Sequence, residues 1–468
     1  MITLLLILII RALKFKPHEE KQVTIEKIDF DKDKAVKDFQ DIIRCKTVSY
    51  RDTSREDDAE FEKIEKLIKE RFPNIIKNST FERVGRRGLL YRIKGKSSAN
   101  PSVLMSHFDV VPVNEDLWSH DAFDAEIREG EVWGRGTLDT KITLNGALQG
   151  VEHHLKNGFV PKDDIYLAFS GEEETSGTSA LDIVDLFIER GVDPKFVLDE
   201  GGAVVSGVFP GVSRPCAAVG IAEKGMFNLK YSVKSTGGHA STPPPETPIG
   251  ILSNACAKIE KNPLPLFLSK PTQKTFDTMA RHSNFAYRLI FANLWLFKGI
   301  IDKIAKKTGG QMNAMLRTTV AFTQMEGSKA MNVLPPEAYM LSNQRVIPGS
   351  SIAETVEQIK EIVNDDRIEY EVIAPSEPSR VSKTDCEGYQ ALTETISQVY
   401  TDAIVAPYLM TACSDSRHYS KLSDKVYRFS PMQLTSDELK AIHGNDEKIS
   451  VENVVKCAEF YIRLVEKL

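Results

Sequence analysis

Residues 102–109 read SVLMSHFD, an apolar run that ends directly in an imidazole and a carboxylate. Two later stretches have the same form: IYLAFSGEEE at residues 165–174 and FVLDE at residues 196–200. A run that is apolar on successive residues is typical of a strand buried on both faces of a parallel sheet. Residues 143–155, between the first two runs, carry apolar side chains at helical spacing. This alternation predicts an α/β fold with a mixed, mostly parallel sheet covered by helices.

The side chains that could carry chemistry follow these predicted strands. His107 and Asp109 come after the first strand, the triple Glu of residues 172–174 after the second, and Asp199 after the third. A fourth stretch, WGRGTLD at residues 133–139, adds Asp139. Ligands of an open α/β sheet bind beyond the carboxyl ends of its strands. We therefore expect these side chains to converge at one edge of the sheet.

The charges of these side chains point to a metal centre. Asp139, Glu173, Glu174 and Asp199 would bring four negative charges into one cavity, and their mutual repulsion would raise their pKa values. Two divalent cations would cancel those charges. Imidazole and carboxylate ligands suit two Zn²⁺, for which Co²⁺ or Mn²⁺ could substitute. Taken singly, a His-x-Asp triplet is more often a capped turn and an acidic run a solvated face, so the combination carries the hypothesis.

The pattern changes near Gly225. Residues 226–233 and 338–346 alternate like half-exposed strands, and residues 249–259 and 352–363 have helical spacing. One-sided patterning of both kinds predicts an α+β sandwich inserted as a lid domain. The expected divisions are an N-terminal apolar segment and linker (1–31), a first catalytic part (32–223), a lid of the dimerisation type (224–380) and a second catalytic part (381–468).

Residues 1–10 form an apolar run that is followed by Arg11, Lys14 and Lys16. The run is short for a membrane-spanning helix, which needs about 20 apolar residues, and it lacks the basic start and the small-residue cleavage site of a signal peptide. A secretory signal or anchor and an incidental N-terminus both stay open. We expect a protein of the secretory pathway, secreted or membrane-anchored, with weak membrane association through the N-terminus.

Other classes of function find no support. The formal net charge is -6, and the aromatic residues are not interleaved with Lys and Arg, so we expect no nucleic-acid partner. The six cysteines are scattered without a CxxC pair, which argues against a cysteine-zinc cluster.

The chain resembles the di-zinc metallopeptidase family that includes the aminoacylases and glycine-X carboxypeptidases. Within it, the resemblance is to the eukaryotic branch with carboxypeptidase S and the N-fatty-acyl-amino acid hydrolases. The matching stretches, in the family's order, are SHFDVVP (106–112), GRGTLDTK (134–141), GEEETSG (171–177), VLDEGG (197–202), GGHASTPP (237–244), MNVLPP (331–336), NQRVIPG (343–349), SDSRHY (414–419) and IHGNDEKIS (442–450).

The resemblance implies a role for each matched residue. It implies one zinc held by His107 and Asp199, a second held by Glu174 and His443, and Asp139 bridging them. Asp109 would orient His107, and Glu173 would be the general base for a metal-activated water. The triple Glu leaves open a shift of one residue between base and ligand, and Thr140 stands where many members carry a second Asp.

The same resemblance assigns substrate contacts to the lid. His239 would stabilise the tetrahedral oxyanion, in a homodimer from the lid of a second subunit, and Asn332 and Arg345 would bind substrate. Arg suits a bidentate grip on a free carboxylate, and Arg417 is a weaker candidate for that task. The apolar stretch FAYRLIFANLWLFK (285–298) is either a lid helix packed into its own core or a wall for a fatty-acyl chain.

Two functions of one chemistry follow from the resemblance. The first is a zinc-dependent hydrolase that cleaves, and could form, the amide bond of N-acyl amino acids, including N-fatty-acyl amino acids. The alternative is a carboxypeptidase that releases the C-terminal residue of short peptides. Both take a small substrate with a free carboxylate. A catalytically inactive binding protein on the same fold is a third reading, but no ligand or base is lost.

Overall fold

The computed structural model describes residues 2–18 and 24–468. Met1 and residues 19–23, which belong to the predicted N-terminal segment and linker, lie outside the described residues. The strands, numbered in chain order, are β1 (Ser79–Val84), β2 (Gly88–Ile93), β3 (Ser97–His107), β4 (Ile127–Arg128), β5 (Glu131–Trp133), β6 (Asp163–Ser170), β7 (Phe196–Val205), β8 (Cys216–Glu223), β9 (Gly225–Lys234), β10 (Gly238–His239), β11 (Thr319–Glu326), β12 (Val333–Leu334), β13 (Glu337–Val346), β14 (Glu369–Ser376), β15 (Ile404–Met410), β16 (Val426–Leu434) and β17 (Lys448–Ser450). The α-helices are α1 (Ile2–Lys14), α2 (Lys32–Ile43), α3 (Asp58–Arg71), α4 (Pro73–Asn78), α5 (Lys141–Lys156), α6 (Ser179–Glu189), α7 (Pro248–Lys261), α8 (Lys270–Arg281), α9 (Phe285–Phe291), α10 (Leu294–Thr308), α11 (Gly310–Leu316), α12 (Ile352–Val363), α13 (Glu387–Val399), α14 (Ser416–Tyr419) and α15 (Val451–Lys467).

The main sheet has eight strands in the order β1-β2-β6-β3-β7-β16-β8-β15. Its central strands β6, β3, β7 and β16 run parallel, whereas β1 and β2 are antiparallel additions at one edge. At the other edge β8 is antiparallel to β16 and parallel to β15. The predicted mixed sheet is confirmed. Because β3 and β6 pair in parallel with His107 opposite Ser170, the residues that follow both strands emerge at one edge.

Alternate residues of β3 face two different hydrophobic layers, as the period of a strand requires. Leu104 belongs to a large cluster with α5 and α15, and Val103 and Met105 belong to a second cluster with α6. The sheet is therefore covered by helices on both faces, which explains why its strands are apolar on successive residues.

The lid is a four-stranded antiparallel sheet in the order β11-β13-β9-β14. The buried residues of β9 and β13 pack with α7 and α12 in a cluster of their own. This is the predicted inserted α+β sandwich. Helix α8 and the residues of α9, α10 and α11 that are buried pack instead with β8 and β15 at the edge of the main sheet. The segment between α7 and β11 thus extends the layer that covers the main sheet.

Helix α1 lies against α9, and its side chains Leu8 and Ala12 are buried there. Across residues 2–18 and 24–468, no helix has both the length and the apolar character needed to cross a bilayer.

Close packing of α5 on α15 depends on glycine. A Cβ at Gly150 would lie 2.8 Å from the carbonyl oxygen of Tyr461. We predict that Gly150→Ala destabilises the chain by about 1–3 kcal/mol, because α15 must shift. Gly299→Ala in α10 is the matched control, since its Cβ would meet open space and alanine gains about 0.8–1 kcal/mol in helix propensity. Denaturant unfolding of both variants measures the difference, and equal stabilities would contradict the packing argument.

Candidate metal centre

Three side chains offer ligand atoms that all lie within 4.8 Å of one another: His107, Asp139 and Glu174. His107 ends β3, Asp139 lies in the loop before α5, and Glu174 lies in the short turn after β6. The Nε2 atom of His107 is 3.0 Å from Oδ1 of Asp139. The sheet topology therefore gathers these three residues at the edge predicted from the sequence.

His443 completes the group from the C-terminal part of the chain. Its Nε2 atom lies 3.1 Å from Oδ2 of Asp139 and 3.1 Å from Oε2 of Glu174. The carboxylate of Asp139 thus lies between two imidazoles, with one oxygen toward each. A carboxylate in this position can bridge two cations.

Asp199 and Glu200 are neighbours on β7 with different surroundings. Oδ2 of Asp199 accepts a hydrogen bond from the backbone N–H of Ser416 at 2.9 Å. Oε1 of Glu200 lies 4.0 Å from Nε2 of His107. Asp199 pairs with Arg428 on β16, but the next pairing joins residues 429 and 202, so Glu200 and Gly201 form a bulge. Bulges beside functional sites re-aim side chains, and this one directs Glu200 toward His107.

Asp109 holds the ends of β3 and β6 together. Its two oxygens accept the backbone N–H groups of Glu173 and Glu174, each at 3.1 Å, and the hydroxyl of Ser49 at 2.8 Å. Oδ1 also lies 3.4 Å from Nδ1 of His107. The backbone carbonyl of Asp109 is nearer to Nδ1 of His107, at 3.0 Å. Residue 109 therefore positions the imidazole, and its fully buried carboxylate positions the turn that carries Glu173 and Glu174.

Glu447 positions the loop that carries Asp139 in a similar way. Oε1 accepts the N–H of Leu138 at 2.6 Å and of Asp139 at 3.3 Å, and Oε2 accepts the N–H of Gly136 at 3.1 Å. The Arg135 guanidinium donates to Oε2 at 2.6 Å. Glu447 lies four residues after His443, so this buried carboxylate joins the two loops that present Asp139 and His443.

The electrostatics of the centre show an excess of negative charge. Burial, followed by repulsion from neighbouring carboxylates, raises the pKa of Glu173 and of Glu200 well above the ordinary value. Burial also raises the pKa of Glu174. Burial alone would lower the pKa of His107, but hydrogen bonds and attraction from Asp109 and Asp139 raise it well above its usual range. Additional positive charge near these carboxylates would therefore stabilise their ionised form.

The donor set fits divalent cations. Oε1 of Glu174 is buried and has no hydrogen-bond partner within the described part of the chain. An ionised carboxylate oxygen left unpaired in this way is costly unless a cation binds it. Imidazole nitrogens and carboxylate oxygens are ordinary ligands of catalytic metal sites. His107, Asp139, Glu174 and His443 would hold the metal.

The four lid and loop residues of the sequence prediction lie in two places. His239 and Asn332 are exposed on the ribbon of β10 and β12, where His239 Nδ1 lies 2.7 Å from the hydroxyl of Ser241. Between them and the four clustered residues no hydrogen bond or ion pair is found over the described ranges. Arg345 donates to Sγ of Cys413 at 3.2 Å, in the loop whose Arg417 lies 3.8 Å from Oε1 of Glu173. The structure thus brings Arg345 to the catalytic part of the chain.

The apolar stretch of residues 285–298 lies elsewhere. It forms α9 and the first turn of α10, with Phe291 buried against α8 and Trp295 exposed. Phe291 and Trp295 line a cavity together with residues of α1 and α8, and none of the clustered ligands lines it. The cavity therefore does not join this stretch to the metal centre.

Histidines and carboxylates clustered at one edge of a sheet, in a chain with a separate lid domain, are typical of metal-dependent hydrolases. The chain belongs to the peptidase family M20/M25/M40, whose family model matches residues 103–467. The resemblance drawn from the sequence is confirmed.

Named relatives agree with this assignment. The chain is 35% identical to "Probable carboxypeptidase S-like 2" of Dictyostelium discoideum, over 100% of this chain and 92% of that protein. It is 35% identical to "N-fatty-acyl-amino acid synthase/hydrolase PM20D1" of Homo sapiens, over 86% and 81%. The M20 metallo-carboxypeptidase Sso-CP2 of Sulfolobus solfataricus superposes with a TM-score of 0.67 at 15% identity, over 92% of this chain and 98% of that one, which shows the shared fold.

Three residues of the centre were not found from the sequence. Glu200 was overlooked because strand spacing alone does not reveal a bulge. Glu447 lies in the matched stretch IHGNDEKIS, four residues after His443, and an acidic residue so near a ligand was the available signal. For Ser49, far from every motif, no sequence signal existed.

We predict that Glu447→Gln weakens metal binding by about 10- to 100-fold. The amide nitrogen of glutamine would replace one carboxylate oxygen, and it cannot accept the N–H groups that this oxygen accepts. Glu126→Gln, in an exposed ion pair with Arg128, should bind like the unmodified chain. Competition with a chromophoric chelator measures both affinities. Unchanged affinity in Glu447→Gln would show that the loop keeps its position without this carboxylate.

Proposed function

We propose that the chain hydrolyses the amide bond of N-acyl amino acids, including N-fatty-acyl amino acids, with two Zn²⁺ as cofactors. The observation that carries this proposal is the Asp139 carboxylate between the imidazoles of His107 and His443, with the half-buried Glu173 next to Glu174. The name of the human relative supports the substrate class. Co²⁺ or Mn²⁺ would substitute for zinc, and the reaction would run toward synthesis where acid and amine are abundant.

Five ligands would hold the two ions. His107 with a β7 carboxylate would take one, Glu174 with His443 the other, and Asp139 would bridge them. We infer that the β7 carboxylate is Glu200, since its oxygen lies 4.0 Å from His107 Nε2 while an oxygen of Asp199 already accepts a backbone N–H. Asp199 would then keep the loop after β15 in place.

Glu173 would move the proton. The bound metal supplies a polarised amide carbonyl and a water of lowered pKa. The Glu173 carboxylate would take a proton from that water as the water oxygen bonds to the carbonyl carbon. It would return the proton to the amine nitrogen as the C–N bond breaks, as one group serving as base and then acid can. Burial raises the pKa of Glu173 well above its ordinary value, and a raised pKa favours a carboxylate that accepts a proton and then returns it.

Two guanidinium groups would bind the free carboxylate of the substrate. Arg345 reaches the loop of Cys413 from the lid, and Arg417 on the same loop lies 3.8 Å from Glu173. A planar guanidinium matches a carboxylate in a bidentate manner. Asn332 would add a substrate contact and His239 would stabilise the oxyanion, both as part of a homodimer in which the exposed ribbon of one lid approaches the second subunit.

A carboxypeptidase that releases the C-terminal residue of short peptides is the second candidate. The name of the Dictyostelium relative favours it, and the same residues would serve both reactions. The N-terminal segment would give weak membrane association, and the chain would act in the secretory pathway, secreted or anchored.

We predict that the chain cleaves N-oleoyl-phenylalanine faster than a glycyl dipeptide, and that chelation abolishes both activities. Glu173→Gln should lower kcat by about 10²- to 10⁴-fold, because general base catalysis is lost, while the bound metal content stays near two equivalents. Product release by liquid chromatography and metal analysis of the same samples measure both quantities.

Glu172→Gln is the matched control, since Glu172 accepts the hydroxyl of Ser179 and pairs with Arg86 at 3.5 Å. It should keep most of the activity. Loss of kcat in Glu172→Gln with full activity in Glu173→Gln would move the base by one residue. Preference for the dipeptide would favour the carboxypeptidase.

We predict that Glu200→Gln loses one metal equivalent or weakens that site by about tenfold or more, because an amide replaces an ionised ligand. Asp199→Asn should retain both equivalents, since its amide can still accept the N–H of Ser416. Metal content after dialysis against a weak chelator distinguishes them. The reverse result would return the ligand role to Asp199.

A further inference from the structure

Exposed apolar side chains are concentrated on one part of the surface. More than half of the large hydrophobic residues that are exposed in the described ranges belong to α1, α9 and α10. They are Ile2, Leu4, Leu5, Leu6, Ile7, Ile10, Leu13, Phe285, Tyr287, Trp295, Leu296, Ile300 and Ile304. We call this set the α1/α10 face. Exposed apolar surface of this extent marks an interaction site.

The three helices form one body. The side-chain amide of Asn293, in the turn between α9 and α10, donates to the carbonyl of Leu8 at 3.1 Å. Arg11 donates to the carbonyl of Ala292 at 3.2 Å. Helix α1 therefore lies against the α9–α10 turn.

A cavity of about 860 Å³ lies between α1, α8 and α10. Its apolar lining includes Phe15 and Trp295. Among the residues that the structure describes, its charged lining is mostly basic, with Arg11, Lys14, Lys274 and Arg281 against the carboxylate of Asp277. Asp277 is already paired with Arg281 at 2.9 Å. The cavity thus joins apolar walls to a surplus of positive charge.

Helix α10 shows the same combination of apolar and basic side chains. Leu296, Ile300 and Ile304 recur every four residues and form one exposed stripe. Lys303 and Lys307 are exposed on the same helix. Its acidic residue, Asp302, pairs with Lys306 and Arg317. An apolar stripe with Trp and flanking lysines is typical of helices that lie in the headgroup region of a bilayer.

We propose that the α1/α10 face docks on the surface of an anionic phospholipid bilayer, with the basic cavity receiving a phospholipid phosphate. Charge complementarity selects this occupant: the rim of the face is cationic, and each Lys or Arg near an anionic surface contributes about 1 kcal/mol. The face extends beyond the N-terminal segment, because α9 and α10 add the exposed rings of Phe285, Tyr287 and Trp295 and the exposed Lys303 and Lys307. Docking is independent of the proposed hydrolysis.

Flotation of the full metal-loaded chain with vesicles tests the docking. Binding to phosphatidylcholine vesicles that contain phosphatidylserine should exceed binding to phosphatidylcholine alone and fall as salt is raised. The double variant Lys303→Glu/Lys307→Glu should weaken binding to the anionic vesicles by about tenfold or more. Ile300→Glu/Ile304→Glu should weaken binding to both kinds of vesicle.

The controls place the same changes elsewhere. Ile188→Glu changes an isoleucine of α6 that is 53% exposed, against 56% for Ile300. Lys258→Glu/Lys261→Glu reverses two charges in α7. Neither control should change vesicle binding. Circular dichroism confirms that each variant is folded. Absence of binding, or equal loss in variants and controls, would overturn the proposal.

Trp295 offers a second measurement that needs no disruptive change. The chain has three tryptophans, and Trp295 is 53% exposed, whereas Arg135 and Lys448 lie over the rings of Trp118 and Trp133. Brominated lipid should quench Trp295 on binding, and Trp295→Phe should abolish the quenching. Two results would refute the bilayer as the occupant. One is the absence of quenching when vesicles are bound. The other is a dimer of the chain that Ile300→Glu/Ile304→Glu dissociates, with no vesicle binding.

Discussion

The burial of mutually repelling carboxylates, which β3, β6 and β7 bring to one edge of the main sheet, governs the arrangement of the catalytic part of the chain. Glu173, Glu174 and Glu200 are all held in surroundings that raise their pKa values, with burial as the largest cause. A fold gains nothing from burying such groups. The arrangement is stable only if cations, imidazoles and N–H donors supply the missing positive potential.

The chain supplies part of that potential through its imidazoles and positions the ligands through two further carboxylates. Near the cluster, His107 and His443 face the two oxygens of Asp139. Behind it, Asp109 and Glu447 are buried carboxylates whose oxygens are occupied by backbone N–H groups of the loops that carry the other ligands. These outer carboxylates add negative charge, so their value lies in positioning. Each one ties together segments that are far apart in sequence, which fixes ligand spacing before any cation arrives.

The sequence predicted the fold class and the edge where the site lies, because strands buried on both faces leave an unmistakable pattern and polar residues follow them directly. His107, Asp139, Glu174 and His443 meet as expected. The resemblance gave Asp199 as the ligand from β7, and our proposal of Glu200 in its place rests on a bulge in that strand. The sequence does not reveal such a bulge, since a strand of period two assigns faces only while its register is unbroken. The sequence also did not reveal where α8 to α11 lie. Their apolar residues indicate burial without indicating which of two sheets they cover.

The placement of α8 connects the two surfaces on which the proposals rest. Helix α8 packs on β15, with Thr275 donating to the carbonyl of Pro407 at 2.7 Å, and it also lines the basic cavity beside α1. The carboxyl end of β15 leads into the loop of Cys413 and Arg417, next to Glu173. One strand and one helix therefore separate the α1/α10 face from the loop proposed to bind the substrate carboxylate. Because packed cores deform little, a chain docked through that face would hold its catalytic loop in a fixed orientation to the bilayer. An amphiphilic substrate with a free carboxylate, which partitions into such a surface, would meet the guanidinium groups in one constant geometry.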